Sequence, residues 1–239
     1  MYNHYRAVIL ILASNNNNIY KNCRKVWKKY MNKDPTIKVF FVYGKLIDSL
    51  NEYNPICDLI FNDIMDESQP IHMGKTIKAM EYIDSLFTYD FFIRTNLSTV
   101  WDFNKIHMHL NELPTSNCYS GYSHITFVSG TDIILTPDIV KIIIQNKNHI
   151  RYDTVDDLAL GLYLYDVLKM PIIRKNTKMY WIEDIADMNQ DAHLITRIDN
   201  AINNKVSHYR VKNNENVRES VDLYVYTKLL KLIYDIDFL

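Results

Sequence analysis

Three apolar runs limit what this chain can fold into: Ala7–Ala13, Ile37–Tyr43 and Phe91–Ile93. A strand with one face in water alternates apolar and polar residues. A run with little or no alternation needs cover on both faces, which is the situation of strands inside an α/β sheet. Segments of helical spacing lie between the runs. Ile19–Met31 places Cys23, Val26, Trp27 and Tyr30 on one face and Lys21, Arg24, Lys28 and Lys29 outside. Ile71–Leu86 repeats Met73, Ile77, Met80, Tyr82, Ile83 and Leu86, and Asp58–Phe61 reads as a short third strand. Parallel neighbours need crossovers, and these are usually helical. The pattern predicts an α/β fold with a mostly parallel central sheet flanked by helices on both faces. Val8–Leu12, Val39–Tyr43 and Phe91–Ile93 are its central strands.

Beyond Phe103 the elements shorten. The spacing predicts a helix over Phe103–Leu113, stopped by Pro114, then short strands at Cys118–Tyr122 and Thr126–Ser129. Thr136-Pro137-Asp138 is a helix start ahead of Ile139–Asn146, with proline in its favoured first-turn position. Helices follow at Val155–Leu168, Leu194–Ile202 and Val217–Asp235, with extended pieces at Pro171–Ile173, Met179–Ile182 and Val206–Val211. With no linker or internal repeat in view, the expectation is one domain over 1–239, its halves meeting near residue 103.

Composition excludes several classes of function. A formal net charge of −1 gives no electrostatic reason to bind nucleic acid or an anionic membrane. Five glycines, with neither G-x-G-x-x-G nor G-x-x-x-x-G-K-[ST], argue against a dinucleotide site or a phosphate loop. Cys23, Cys57 and Cys118 are too few and too scattered for a disulfide framework or a zinc site. The apolar start is too short to span a bilayer or to act as a signal peptide, so a cytoplasmic protein is expected. The richness in Asn, Ile, Lys and Tyr suggests an AT-rich coding genome, such as that of a large DNA virus.

The stretch from Tyr89 to Phe103 is where chemistry is expected. Phe91-Phe92-Ile93 breaks into the polar corner Arg94-Thr95-Asn96-Leu97-Ser98, and the carboxyl ends of parallel strands open onto the ligand crevice of α/β sheets. Farther on, Asp156 and Asp157 stand at a helix start. They either cap that helix or present a carboxylate to a cleft, and both roles can coexist. Asn96 and Ser98 either close a turn or hydrogen-bond a ligand.

These segments resemble the inverting β-1,3-galactosyltransferase and Fringe-like families of GT-A fold. Arg24-Lys25-Val26-Trp27 is similar to their R-x-x-I-R-x-T-W. Asp58-Leu59-Ile60, Asp63, Glu67-Ser68-Gln69 and Lys75-Thr76 are similar to D-I-I…D…D-S-Y-x-N-L-T-L-K-T. Ser129-Gly130-Thr131-Asp132 resembles S-G-G-G, Val155–Gly161 resembles E-D-V-Y-V-G, and Ser207-His208-Tyr209-Arg210 resembles the V-H-R-like strand. The ordered matches run from Val8 to Leu168. Where those families place the carboxylates of K-T-D-D-D-x-F-V, this chain has Asn96-Leu97-Ser98.

The resemblance implies a glycosyltransferase that moves a sugar from a nucleotide sugar, with UDP as the expected nucleotide, to a glycan or other hydroxyl acceptor by inverting single displacement. It implies Asp157 as the base and Asp156 as a supporting or acceptor-binding residue. The donor would be held by Ser14, Asp63, Lys75, Arg94, Asn96 and Ser98, with Lys75, Arg94 and Arg210 as candidates to neutralise the diphosphate. His208 is the candidate ligand for a divalent cation such as Mn or Mg, and the missing carboxylates imply that such binding is weak or absent. The alternative is a non-catalytic GT-A-like protein that binds a glycan or partner.

Overall fold

In the computed structural model the described residues are 4–45, 53–65, 72–173, 179–183, 185, 191–204 and 206–238. The apolar runs do form the interior of a sheet. β1 (His4–Leu12), β2 (Ile37–Lys45), β3 (Asp58–Met65) and β4 (Thr88–Asn96) are parallel. β7 (Ile133–Leu135) runs antiparallel to β4, and the two-residue β6 (Tyr119–Ser120) runs antiparallel to β7. The order is β3-β2-β1-β4-β7-β6, so the three strands expected at the centre are all interior. Ile9 lies opposite Val39 on one side and Ile93 on the other. Ala7 to Ile11 have no exposed surface, which accounts for their lack of alternation.

Helices α2 (His72–Leu86) and α4 (Pro137–Gln145) pack on this sheet and on each other. Met73, Ile77, Met80 and Ile83 from α2 join Ile139, Val140 and Ile143 from α4 over Val8, Leu10, Phe40 and Phe92. Proline begins α4 as expected, yet Thr136 does not cap it with its side chain. The Thr136 hydroxyl instead accepts from the Cys118 N–H at 3.0 Å, tying the segment before β6 to the helix start.

Other expectations change as well: Arg24, expected on an outer face, is buried. Val155–Leu168 is not one α-helix: α5 (Asp156–Gly161) passes into a wider π-turn over Leu162–Val167, where the Leu168 N–H reaches back to Tyr163 O at 3.0 Å. Thr126–Ser129 forms no strand; a single bridge, Ser123 to Val128, closes a tight loop there.

By compactness the chain forms two units, each drawn from three stretches: 1–15, 35–96 and 112–176 in the first, 16–34, 97–111 and 177–239 in the second. The second holds a three-stranded sheet of order β5-β9-β8, from β5 (Thr99–Trp101), β8 (Met179–Ile182) and β9 (His208–Val211). Its helices are α1 (Asn18–Tyr30), α3 (Phe103–Asn111), α6 (Asp191–Asn203) and α7 (Arg218–Tyr234). Aromatic tips satisfy the backbone around β5. Trp27 Nε1 donates to Leu97 O at 3.0 Å, Trp101 N donates to Tyr30 Oη at 3.2 Å, and Phe103 N donates to Tyr234 Oη at 2.9 Å. Tyr234 Oη in turn donates to Trp101 O at 2.6 Å. Among the described residues, no helix is long and apolar enough to cross a membrane.

All three cysteines are buried and free, and burial pushes the Cys23 thiol up to about 11 and the Cys118 thiol up to about 12. The thiolate is the reactive form. In the folded protein, titration with an aromatic disulfide near pH ~8 should find no fast thiol, and all three should react at once on unfolding. A fast-reacting Cys118 in the native state would contradict this burial.

Candidate active site at the carboxyl end of the sheet

β1 and β4 end side by side, with Leu12 opposite Asn96. Just past β1 come buried Ala13 and half-buried Ser14. Lys75, in the first turn of α2, is buried and its ammonium donates to Ala13 O at 3.3 Å. It brings a positive charge to the exit of β1.

Arg94 follows the apolar run Phe91-Phe92-Ile93 in β4, and it is 3% exposed. Its partner is Asp156, the first residue of α5, 1% exposed. The contact is a two-pronged one: Nε to Oδ2 at 2.8 Å and Nη2 to Oδ1 at 2.6 Å. The third nitrogen, Nη1, donates to Asn96 Oδ1 at 2.9 Å and also to the Gly130 carbonyl. The Thr76 hydroxyl stands 3.0 Å from both Asp156 Oδ2 and His72 O, and its single hydrogen serves one of them at a time.

Gly130 couples this pair to Asp157. Its carbonyl takes Arg94, while its N–H donates to Asp157 Oδ2 at 3.0 Å. Asp157 Oδ1 accepts from the Leu158 N–H at 2.8 Å. A Cβ at position 130 would lie 2.1 Å from Arg94 Nη1, so only glycine leaves room for the guanidinium. Next to it, Thr95 Oγ1 donates to Thr131 O at 2.5 Å. Asp156 is thereby buried and spent on Arg94, whereas Asp157 stays half-buried, held by two backbone amides.

Of the residues singled out in the sequence, Ser14, Lys75, Arg94, Asn96, Asp156 and Asp157 therefore gather at one end of the sheet. Arg94, expected to face a diphosphate, has all three guanidinium nitrogens engaged within the protein. Asp63 lies exposed at the end of β3, paired with Lys78, whose ammonium holds its carboxyl below the usual range. Glu67–Gln69 lie outside the described residues.

Ser98, His208 and Arg210 belong to the second unit. Arg210 donates to the Ser98 hydroxyl. His208 is fully buried, stacked on Trp101 at 4.2 Å, with Nδ1 3.0 Å from Ser207 Oγ. Gly130 and Thr76 were not anticipated as parts of a site. The signal for them was Arg94 itself, because a charge inside a buried strand requires a carboxylate and further acceptors nearby.

These residues do not fit a resident divalent cation. A hard cation prefers anionic oxygen, yet Asn96 offers an amide and both oxygens of Asp156 face a guanidinium. No group of three His, Cys, Asp or Glu able to hold a metal occurs among the described residues.

The pair has a testable energetic signature. Arg94→Met leaves a buried carboxylate unpaired and should cost about 3–5 kcal/mol, whereas Arg94→Met combined with Asp156→Leu should regain most of it. Urea denaturation of both single variants, Arg94→Met and Asp156→Leu, of the double variant and of wild type measures the cycle; a loss below about 1 kcal/mol for Arg94→Met would mean that the pair is not desolvated.

No family model matches the chain, and none of the curated proteins matches it. Among solved structures it is similar to the crystal structure of a glycosyltransferase involved in the glycosylation of the major capsid of PBCV-1. The TM-score is 0.50 at 10% sequence identity, over 90% of this chain and 98% of that one. At this identity the likeness is one of fold: a mixed α/β architecture with a mostly parallel central sheet flanked by helices, consistent with a GT-A-like glycosyltransferase fold.

Proposed function

We propose that the chain is a single GT-A-like glycosyltransferase domain. It takes a sugar from a nucleotide sugar, with UDP as the expected nucleotide, and passes it to an acceptor hydroxyl by inverting single displacement. The observation that carries this reading is Asp157: a half-buried carboxylate, fixed by Gly130 and Leu158, beside a buried ion pair at the carboxyl end of a parallel sheet. The likeness of fold to a glycosyltransferase supports it.

In the displacement the acceptor oxygen forms a bond to the anomeric carbon while the bond from that carbon to the diphosphate oxygen breaks on the opposite side. The acceptor proton passes to Asp157, and the leaving electron pair goes to the nucleoside diphosphate. A carboxylate oxygen accepts two hydrogen bonds, so Oδ2 can keep the Gly130 amide and still receive the proton. Arg94 and Asp156 serve as positioning residues that hold the start of α5. Ser14, Lys75 and Asn96 would meet the donor, with Lys75 countering diphosphate charge. Asp63, at the end of β3, would reach the nucleoside. The working place is the cytoplasm, that of a host if the chain is viral.

The engaged guanidinium favours one second reading, a scaffold that binds glycan without transfer. Asp157→Asn separates the two. Transfer from a nucleotide sugar should fall by about 10²–10⁴-fold with donor affinity nearly unchanged, because the carboxylate acts on the acceptor proton. Full turnover in a folded Asp157→Asn variant would remove Asp157 from the mechanism. Absence of any nucleotide-sugar stabilisation of the wild type, with or without manganese, would favour the scaffold.

A further inference from the structure

Between β6 and β7 the chain turns back on itself in a tight loop. Ser123 bridges to Val128, the His124 N–H donates to Phe127 O at 2.8 Å, and the Ser129 N–H donates to Tyr122 O at 2.8 Å. Ile125 stands at the tip, 80% exposed. Below it three rings assemble: His124 stacks on Phe127 with centroids 4.5 Å apart, and Tyr122 meets His124 edge-on at 5.8 Å. Ser123, His124, Ile125, Thr126 and Phe127 line an open recess of about 490 Å³.

The loop is fastened to α5 on either side of the turn that Asp157 begins. Gly130, three residues past Phe127, gives its N–H to Asp157. Phe127 itself presses on Gly161, where an added Cβ would come within 2.2 Å of Phe127 Cβ. Gly161 is four residues beyond Asp157, so the two share one helix face about 6 Å apart along the axis. The loop that lines the recess is thus tethered to the face of α5 that carries the proposed base.

Its chemistry is specific. Among the described residues the lining has no Asp, Glu, Lys or Arg, which disfavours a charged ligand such as a nucleotide. Aromatic faces carry negative charge and attract the weakly positive C–H face of a pyranose, while the Ser123 and Thr126 hydroxyls can exchange hydrogen bonds with its hydroxyls. We propose that this loop is the acceptor platform, binding the terminal pyranose of a neutral glycan so that one of its hydroxyls points to Asp157. The proposal deepens the transferase reading and rests on it.

Methyl NMR tests it on the full chain. Isoleucine δ1 methyls are labelled, Ile125 is assigned through Ile125→Val, and methyl pyranosides of differing configuration are titrated with and without saturating UDP. At least one glycoside should move the Ile125 methyl saturably. His124→Ala, whose loop fold is checked by an unchanged Ile125 methyl shift without ligand, should weaken that binding about 3- to 10-fold. The platform is overturned if no glycoside moves Ile125, if shifts fall on other isoleucines, or if His124→Ala binds as wild type does. Nucleotide-sugar binding measured on the same wild-type sample separates the two failures. Donor binding with a silent Ile125 sinks the platform alone. A responsive Ile125 without donor binding keeps the loop as a glycan site and sinks the transferase.

Discussion

A guanidinium inside a sheet must be matched by a carboxylate, and the first unit is arranged around that requirement. Arg94 sits between Ile93 and Thr95, both without exposed surface. Taking its charge out of water costs several kcal/mol, and only a well-aligned partner with further hydrogen bonds offsets the loss. Asp156 supplies two prongs, Asn96 and Gly130 supply acceptors for the third nitrogen, and the result pins the first residue of α5 to the last turn of β4. Asp157, next in sequence, is carried into place by that pin. Gly130 serves both sides, and its missing Cβ is the space the guanidinium occupies.

The same pair accounts for Asn96, whose amide oxygen accepts from Arg94 Nη1 at 2.9 Å. With Arg94 beside it, an aspartate at 96 would meet a positive charge already balanced by Asp156, and a cation there would meet a guanidinium. The positive charge at this corner is covalently part of the chain. In the second unit a comparable economy holds around β5, where Trp27, Tyr30 and Tyr234 use their polar tips to satisfy backbone groups from Leu97 to Phe103. Ser98 and His208 are bound into that local network through Arg210 and Ser207.

The central strands were legible because burial on both faces leaves a direct mark, an apolar run without alternation, as in Ala7–Ala13. The helix start at Asp156 was legible from two aspartates ahead of an apolar periodicity. What stayed hidden depends on contacts between distant segments. Arg94 and Asp156 are 62 residues apart, and no local pattern says that topology brings them together. Arg94 alone reads equally well as a ligand for phosphate. Thr136 shows the same limit on a small scale: its position marks a cap, but its hydroxyl is claimed by Cys118 across the loop. Thr126–Ser129 pairs only at Val128, with Ser123, because its partner is fixed by the return of the loop and not by a local pattern.

Arg94 is committed to Asp156 through Nε and Nη2, and its side-chain Nε–H signal reports on that commitment directly. In a ¹⁵N-resolved spectrum, assigned by its loss in Arg94→Met, this signal should exchange slowly with solvent. It should stay unmoved when UDP or a UDP-sugar is added, since the guanidinium keeps Asp156. A fast-exchanging Arg94 signal, or one that shifts on addition of the nucleotide, would show the guanidinium leaving Asp156 for the diphosphate and would contradict the account.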